Sequence, residues 1–242
     1  MTDSGQGLRR FAAKLASLNA LDESALGAIR SLPCRVRQVA RGTTIVSDGE
    51  LVVECCVLLQ GYACRHKVTK DGGRQIVSFH LSGDILDIQH LFLERADHNV
   101  QTISDATLGF VSTAALRAIA HEHSDIAVAL WRDSLIDASV FREWVLNVGR
   151  RDAKMRIAHM LCEFAVRAER AGLGSQAAFT LPMTQEDIAD ATGLTAIHVN
   201  RMLRSLTEEG AISREGREIR IADWSVMRRT ADFSEEYLHL AA

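Results

Sequence analysis

TLPMTQEDIADATGLTAIHVNRMLRSLTEEGAISREGREIRI, residues 180–221, decides the fold of this chain. The stretch predicts two short helices about a glycine turn, then a glycine-punctuated strand pair, which is the plan of a winged helix-turn-helix. Thr184 supplies a hydroxyl cap for the first helix, and Glu186 and Asp187 follow where acids suit the positive helix end. Ile188, Ala189 and Ala191 make its buried side. Gly193 then stops it, because a tight interhelical turn calls for a residue free to take positive φ. Thr195 caps the second helix, in which Val199, Met202, Leu203 and Leu206 recur at three- and four-residue intervals as an inward stripe.

Ala196, Ile197, His198, Asn200, Arg201 and Arg204 are left for the outer faces of that second helix. Arg201 and Asn200 suit base edges, since Arg grips guanine O6 and N7 through two hydrogen bonds and Asn does the same for adenine. Thr195 and His198 suit phosphate or base contacts, and Thr184 completes the expected DNA-contacting set on the first helix. Taken singly, each is a solvated polar residue on an exposed helix. The ordered set of cap, glycine turn, amphipathic helix and wing is what points to duplex DNA. In the wing, Gly210 and Gly216 bracket Ala211-Ile212-Ser213 and lead into Ile219-Arg220-Ile221 through the polar turn from Arg214 to Arg217. Arg214, Arg217 and Arg220 are placed to reach phosphates, contacts that set position and salt dependence and not sequence preference.

In this order, the signals resemble the DNA-binding domain of the Crp/Fnr superfamily of bacterial transcription regulators, and the likeness extends over nearly the whole chain. Asp152-Ala153-Lys154-Met155-Arg156-Ile157-Ala158 resembles the segment that opens the family's DNA-binding domain, with Asp152 as helix cap. Gly42 to Gly49 with Glu50, Gly61 and Gly83-Asp84 fall at the turns of the family's cyclic-nucleotide-binding-like β-roll. The resemblance implies an α+β chain in three parts. An effector-sensing roll with N-terminal helices covers 1–124, a dimerisation helix and hinge 125–150, and a winged helix-turn-helix 151–242, with the hinge near Gly149-Arg150-Arg151.

The N-terminal part has its own grammar. A helical lead from Leu8 to Leu32 precedes β-like runs at Thr43–Val46, Cys55–Leu59, Tyr62–Val68, Gln75–Leu81, Asn99–Ile103 and Leu108–Val111. Lys70-Asp71-Gly72-Gly73 between two of them is a hairpin signal, and Ala114 to Glu122 turns helical. Many short strands with regular punctuation indicate an antiparallel sandwich or roll, which offers an interior for a small effector. Beyond it runs a helix from about Asp125 to Val148, free of glycine and proline, with Val128, Trp131, Leu135, Ala138 and Val145 as one stripe. Leu130, Phe141, Trp144 and Val148 form a second stripe, expected to meet the same helix of another subunit. A two-fold dimer sets two recognition helices about 34 Å apart and demands a palindromic operator.

Composition bounds the rest. At 242 residues with 47% apolar content the chain suits two domains with real cores. It has no apolar run of membrane-spanning length and no secretory signal, so a cytoplasmic protein without membrane partners is expected. Cys34, Cys55, Cys56, Cys64 and Cys162 show no metal-type or paired spacing. No HExxH, GxSxG, P-loop or GxGxxG stands in context, and His121 and His123 alternate to different helix faces, so an enzyme is not expected. Net charge −3 runs against a strong nonspecific nucleic-acid binder. From Arg201 to Arg229 seven arginines stand against five acids, so Glu208, Glu209, Glu215 and Glu218 must point away from phosphates.

What the resemblance implies for an effector depends on particular residues. The family's cAMP-binding members hold the nucleotide with Gly-Glu-Leu followed about ten residues on by Arg-Ser, whereas here Asp87-Ile88-Gln89 and His98-Asn99 occupy those places. The ribose-binding acid and the phosphate-binding arginine are both missing, and Phe141 and Arg142 replace the hydroxyls offered to adenine. These positions argue against cAMP by the family mechanism, while Arg95, His98 and Arg142 leave room for an anionic ligand. No cofactor is identified. No N-terminal cysteine group for an iron-sulfur cluster is present, and His90 lies one place off the axial position of haem-binding members. A redox-responsive thiol at Cys55, Cys56 or Cys64 would need exposure and a depressed pKa. Where the better-known members carry a glutamate that reads a G·C pair, this chain has Ile197. The expected function is a homodimeric regulator of palindromic operators, modulated by a small effector or redox signal. The alternative is an effector-independent regulator whose roll docks RNA polymerase or another protein, and a haem-based gas sensor stands behind both.

Overall fold

Residues 8–240 are described by a computed structural model. The chain divides into two compact units, one made of the segments up to Lys67 and Ser78–Ala138, the other of Val68–Val77 and Ser139–His239. The division falls inside the long helix, and it gives the tip of one β-hairpin to the second unit.

The first unit opens with two helices, α1 (Arg9–Leu18) and α2 (Glu23–Arg30), where the sequence predicts one helical lead. Asn19 turns extended, and Asp22 starts the second helix by accepting from Ala25 N. Seven strands follow: β1 (Arg35–Val39), β2 (Thr44–Val46), β3 (Glu54–Gln60), β4 (Tyr62–Val68), β5 (Arg74–Leu81), β6 (Asn99–Thr102) and β7 (Ala106–Ser112). They form two antiparallel sheets, ordered β1-β7-β3 and β2-β6-β4-β5. A 3-10 turn, Ile88–Leu91, bridges β5 and β6, and α3 (Thr113–Glu122) leads into the single long helix α4 (Ser124–Arg150).

Strand β3 shows how the layers are built. Successive side chains leave a strand on opposite faces, so Cys55 and Val57 join the helices in a core with Phe11, Leu15, Ile29, Leu116 and Ile126. Cys56 and Leu58 point the other way, into the roll interior with Ala63, Val100 and Leu108. Gly61, at the tight β3–β4 turn, has φ +96°, and a Cβ there would lie 2.5 Å from the Asp105 carbonyl oxygen. Only glycine satisfies both demands.

The second unit carries α5 (Ala153–Arg170), β8 (Ala178–Thr180), α6 (Gln185–Thr192), α7 (Ala196–Glu208), β9 (Ile212–Glu215), β10 (Glu218–Ile221) and α8 (Trp224–Ala231). Asp152 caps α5 by accepting from Met155 N, as its sequence position predicts. The expected wing pair gains a third strand, and the sheet runs β8-β10-β9. Buried at the centre of the unit, Glu163 accepts from Trp144 Nε1 at 2.9 Å and Tyr237 Oη at 2.8 Å, with Arg167 at 3.2 Å. These partners compensate a carboxylate that isolation from water would otherwise destabilise strongly. Gly149 and Arg150, expected at a hinge, are still helical; the break comes at Arg151 and Asp152. Among the described residues no helix is long and apolar enough to cross a membrane.

Candidate nucleic-acid interface

Helix α6 begins at Thr184, whose Oγ1 accepts from Asp187 N at 3.1 Å while Asp187 Oδ2 accepts from Thr184 N at 2.9 Å. This reciprocal capping box satisfies two backbone donors that a helix start leaves open. It also commits the half-buried Thr184 side chain, expected at DNA, to its own helix. Asp187 and Asp190 in addition receive Arg74 of the hairpin tip, at 2.9 and 2.6 Å. Gly193 closes α6 at φ +66°, and a Cβ there would touch Val148 Cγ1 at 3.4 Å. Arg156 clamps the same turn, donating from Nη1 to Thr192 O at 3.0 Å and from Nε to Arg151 O at 2.8 Å.

Helix α7 then starts at Thr195, which accepts from His198 N. Val199, Leu203 and Leu206 are fully buried and Met202 partly so, as their spacing predicts. The rotation that buries this stripe turns Ile197, His198, Asn200, Arg201 and Arg204 to solvent, while Ala196 is half-buried. Within the described chain Asn200 and Arg201 have no hydrogen bond or ion pair, so their side-chain donors are left to solvent. Thr195 and His198 share a contact of 3.1 Å between Oγ1 and Nδ1. Arg214 and Arg217 are exposed on β9 and the β9–β10 turn.

Charge near this surface is more favourable than the net total. Glu208 is held by Arg204 at 2.7 Å, Glu209 by Lys154 at 3.0 Å, and Glu218 is paired with Arg220. Three of the four acids that threatened a phosphate-facing surface are thus neutralised locally. The Arg204–Glu208 pair is legible as an i,i+4 spacing; the Lys154–Glu209 pair, which spans 55 positions, is not.

The other expected sites fare unevenly. In the first unit Asp87 is wholly buried, its Oδ1 accepting from Cys56 N at 2.9 Å and its Oδ2 without a hydrogen-bond partner. Burial pushes its carboxyl up to about 7, against the opposing pull of the Cys56 amide and Arg65. His98 is buried beside Asp97 at 2.6 Å and Gln89 at 3.1 Å, and its ring stacks with that of His90 at a centroid distance of 6.4 Å. Ile88 packs into the helical core, Asn99 accepts from Asp48 N, and Arg95 lies exposed, donating to Gly49 O. Phe141 and Arg142 belong to the second unit and are exposed. Cys55, Cys56 and Cys64 are buried, and burial raises the thiols of Cys55 and Cys56, which disfavours the thiolate that redox chemistry requires.

Of the expected dimerisation stripe, Leu130 and Trp144 are covered by the chain's own fold, while Phe141 stays exposed. Leu130 and Trp144 are each only 4% exposed, Leu130 in the helical core and Trp144 bound to Glu163, and Val148 is half-buried. The face of α4 left in solvent is the other stripe, Val128, Trp131, Leu135 and Val145, with Phe141 and Leu146 beside it. Sequence periodicity shows two stripes on such a helix; which one the chain's own core covers is a tertiary matter.

Comparison with known proteins follows the same outline. Residues 36–123 match the family model of the cyclic nucleotide-binding domain and residues 155–230 that of the Crp-like helix-turn-helix domain. The chain is 32% identical over 191 residues to the nitrogen fixation regulation protein FixK of Azorhizobium caulinodans, across 78% of this chain and 76% of that protein. To the FixK of Rhizobium meliloti it is 31% identical over 224 residues, across 90% of this chain and 98% of that one. Among solved structures, FixK2 from Bradyrhizobium japonicum superposes with a TM-score of 0.77 at 24% identity, covering 84% of this chain and 100% of that chain.

Proposed function

This chain belongs to the Crp/Fnr family of transcription regulators, and from that premise we propose that it binds palindromic operators in the cytoplasm as a homodimer, reading base edges with α7 of each copy. The observation that carries the proposal is the pair Asn200 and Arg201, exposed and unbonded on a helix whose opposite face is fully buried. Polar groups held ready in this way gain hydrogen bonds on docking without breaking any inside the protein. The apolar stripe of α4 supports the symmetric assembly, since Trp131 at 70% and Val145 at 59% exposure are costly in water and would be covered by the same stripe of a second copy.

A small effector in the roll, other than cAMP held by the family's usual contacts, biases the two DNA-binding domains toward one arrangement. The buried Asp87, His90 and His98, with the Asp87 Oδ2 and His90 Nε2 atoms unbonded, support this reading by giving the roll a few buried polar groups beside its apolar core. A second reading has its own support. Leu51 and Val53 run beside Phe92 and Leu93 on the roll, all exposed, with Phe92 at 86%, and such a patch suits docking of RNA polymerase or another protein by an effector-independent regulator.

Sedimentation of the purified chain, with binding to a palindromic duplex and to its isolated half-site measured with and without a metabolite extract, tests the proposal. A dimer that prefers the palindrome and tightens with extract is expected. Full binding without any additive favours the protein-docking reading, and a monomer that treats half-site and palindrome alike contradicts both.

A further inference from the structure

Ile197 is the anomaly of the recognition helix. It is 82% exposed, on the second residue of α7, where every other outward side chain from His198 to Arg204 is polar or charged. Single exposed aliphatic residues are common and need no explanation on an ordinary surface. This surface is not ordinary, because Ile197 lies three and four residues before Asn200 and Arg201, and those spacings put all three on one face of the helix. The N-terminal residues of a recognition helix are the ones that meet base edges. Within the major groove the four base pairs present hydrogen-bonding groups and one apolar group, the 5-methyl of thymine.

We propose that Ile197 is a specificity-determining residue that reads a thymine methyl in each half-site, an inference that rests on the DNA-binding reading above. Geometry fixes where that thymine lies. Four residues of α-helix rise about 6 Å, and base pairs stack about 3.4 Å apart, so the thymine falls within about two base pairs of the guanine gripped by Arg201. Asn200, on the same face and unbonded within the described chain, reads a neighbouring adenine edge. An isoleucine at this place rejects cytosine by leaving its N4 amine without an acceptor.

The test uses deoxyuridine, which pairs as thymine does and lacks only the methyl. Each thymine of an enriched operator is replaced in turn, symmetrically in both half-sites, and binding of the full-length protein is measured. Wild type is expected to lose roughly fourfold per half-site at one position, the factor that burial of one methyl-sized group gives, and to tolerate uracil elsewhere. Ile197→Ala is expected to bind thymine and uracil operators equally, and Ile197→Glu to exchange the preferred thymine for cytosine, whose N4 amine the carboxylate accepts. Because the side chain is mostly in solvent, both variants keep the wild-type circular dichroism. Uniform tolerance of uracil by wild type, or a methyl penalty that persists in Ile197→Ala, overturns the assignment while leaving DNA binding intact. Failure of wild type to enrich any duplex instead overturns the reading beneath it.

Discussion

Arg201 carries base recognition in this account without helping to hold the fold, since within the described chain it makes no internal hydrogen bond or ion pair. Arg201→Ala is therefore expected to leave thermal stability within about 0.5 kcal/mol of wild type. It should weaken operator binding by about 1–3 kcal/mol and relax choice at one base pair per half-site. An equal loss on every duplex, measured by titration against single-base operator variants, would reduce Arg201 to a phosphate contact. Two buried titratable groups give a second prediction, and their signs oppose. Burial, with the charge of Arg151 nearby, holds His159 down at about 3 from 6.5, so the unfolded chain takes up a proton first and stability falls as pH drops below about 6.5. Asp87 is pushed from 3.8 up to about 7, so the unfolded chain releases its proton first and stability falls as pH rises between those values. Each contributes up to about 1.4 kcal/mol per pH unit. Urea midpoints should show His159→Phe gaining on wild type from pH 7 to 5, and Asp87→Asn gaining from pH 5 to 7. Curves parallel to wild type would show that neither site is as dry as its burial indicates.

At the scale of elements, α4 makes the strongest demand, because one of its faces is finished by the chain's own core and the other is not. Placing a charge on the open stripe, as in Trp131→Asp or Leu135→Lys, is expected to convert dimer to monomer in sedimentation and to lower palindrome affinity more than tenfold while half-site affinity is kept. Retention of the dimer in both variants would move the interface elsewhere. The same helix marks how far elements can be read from sequence. Thr184, Asp187, Gly193 and Thr195 announce α6 and α7 to the residue, since capping and positive φ are local requirements that local chemistry meets. Strand β1, Arg-Val-Arg-Gln-Val, gives no such signal because it lies half in water and alternates without apolar contrast. Strand β8, three residues long, owes its existence to pairing with β10, a partner about forty positions away. Leu130 and Trp144 sit on a stripe indistinguishable by period from the exposed one, and only contacts distant in sequence bury it.

For the whole molecule, the net charge of −3 is not the local balance near the wing, where seven arginines stand against five acids from Arg201 to Arg229; the ion pairs of Glu208, Glu209 and Glu218 fix those acids in place but engage Arg204, Lys154 and Arg220 in turn. The helix-turn-helix was legible because its caps, glycine turn and buried stripe are local requirements that neighbouring residues meet. The expected pocket of the first unit was less so: Asp87 and His98 are buried polar groups, while Arg95 and Ile88 turn to other tasks, because a pocket for an unspecified small molecule dictates no fixed residue pattern. The central claim is that α7 reads duplex DNA and is presented twice by symmetric copies. Selection of binding sites from a pool of randomised duplexes by the full-length protein measures this directly. An enriched inverted repeat is expected, its half-sites centred about 10 base pairs apart and each holding a guanine that Arg201→Ala no longer selects. A pool that yields no enriched sequence, or a single unrepeated motif indifferent to Arg201, would contradict it.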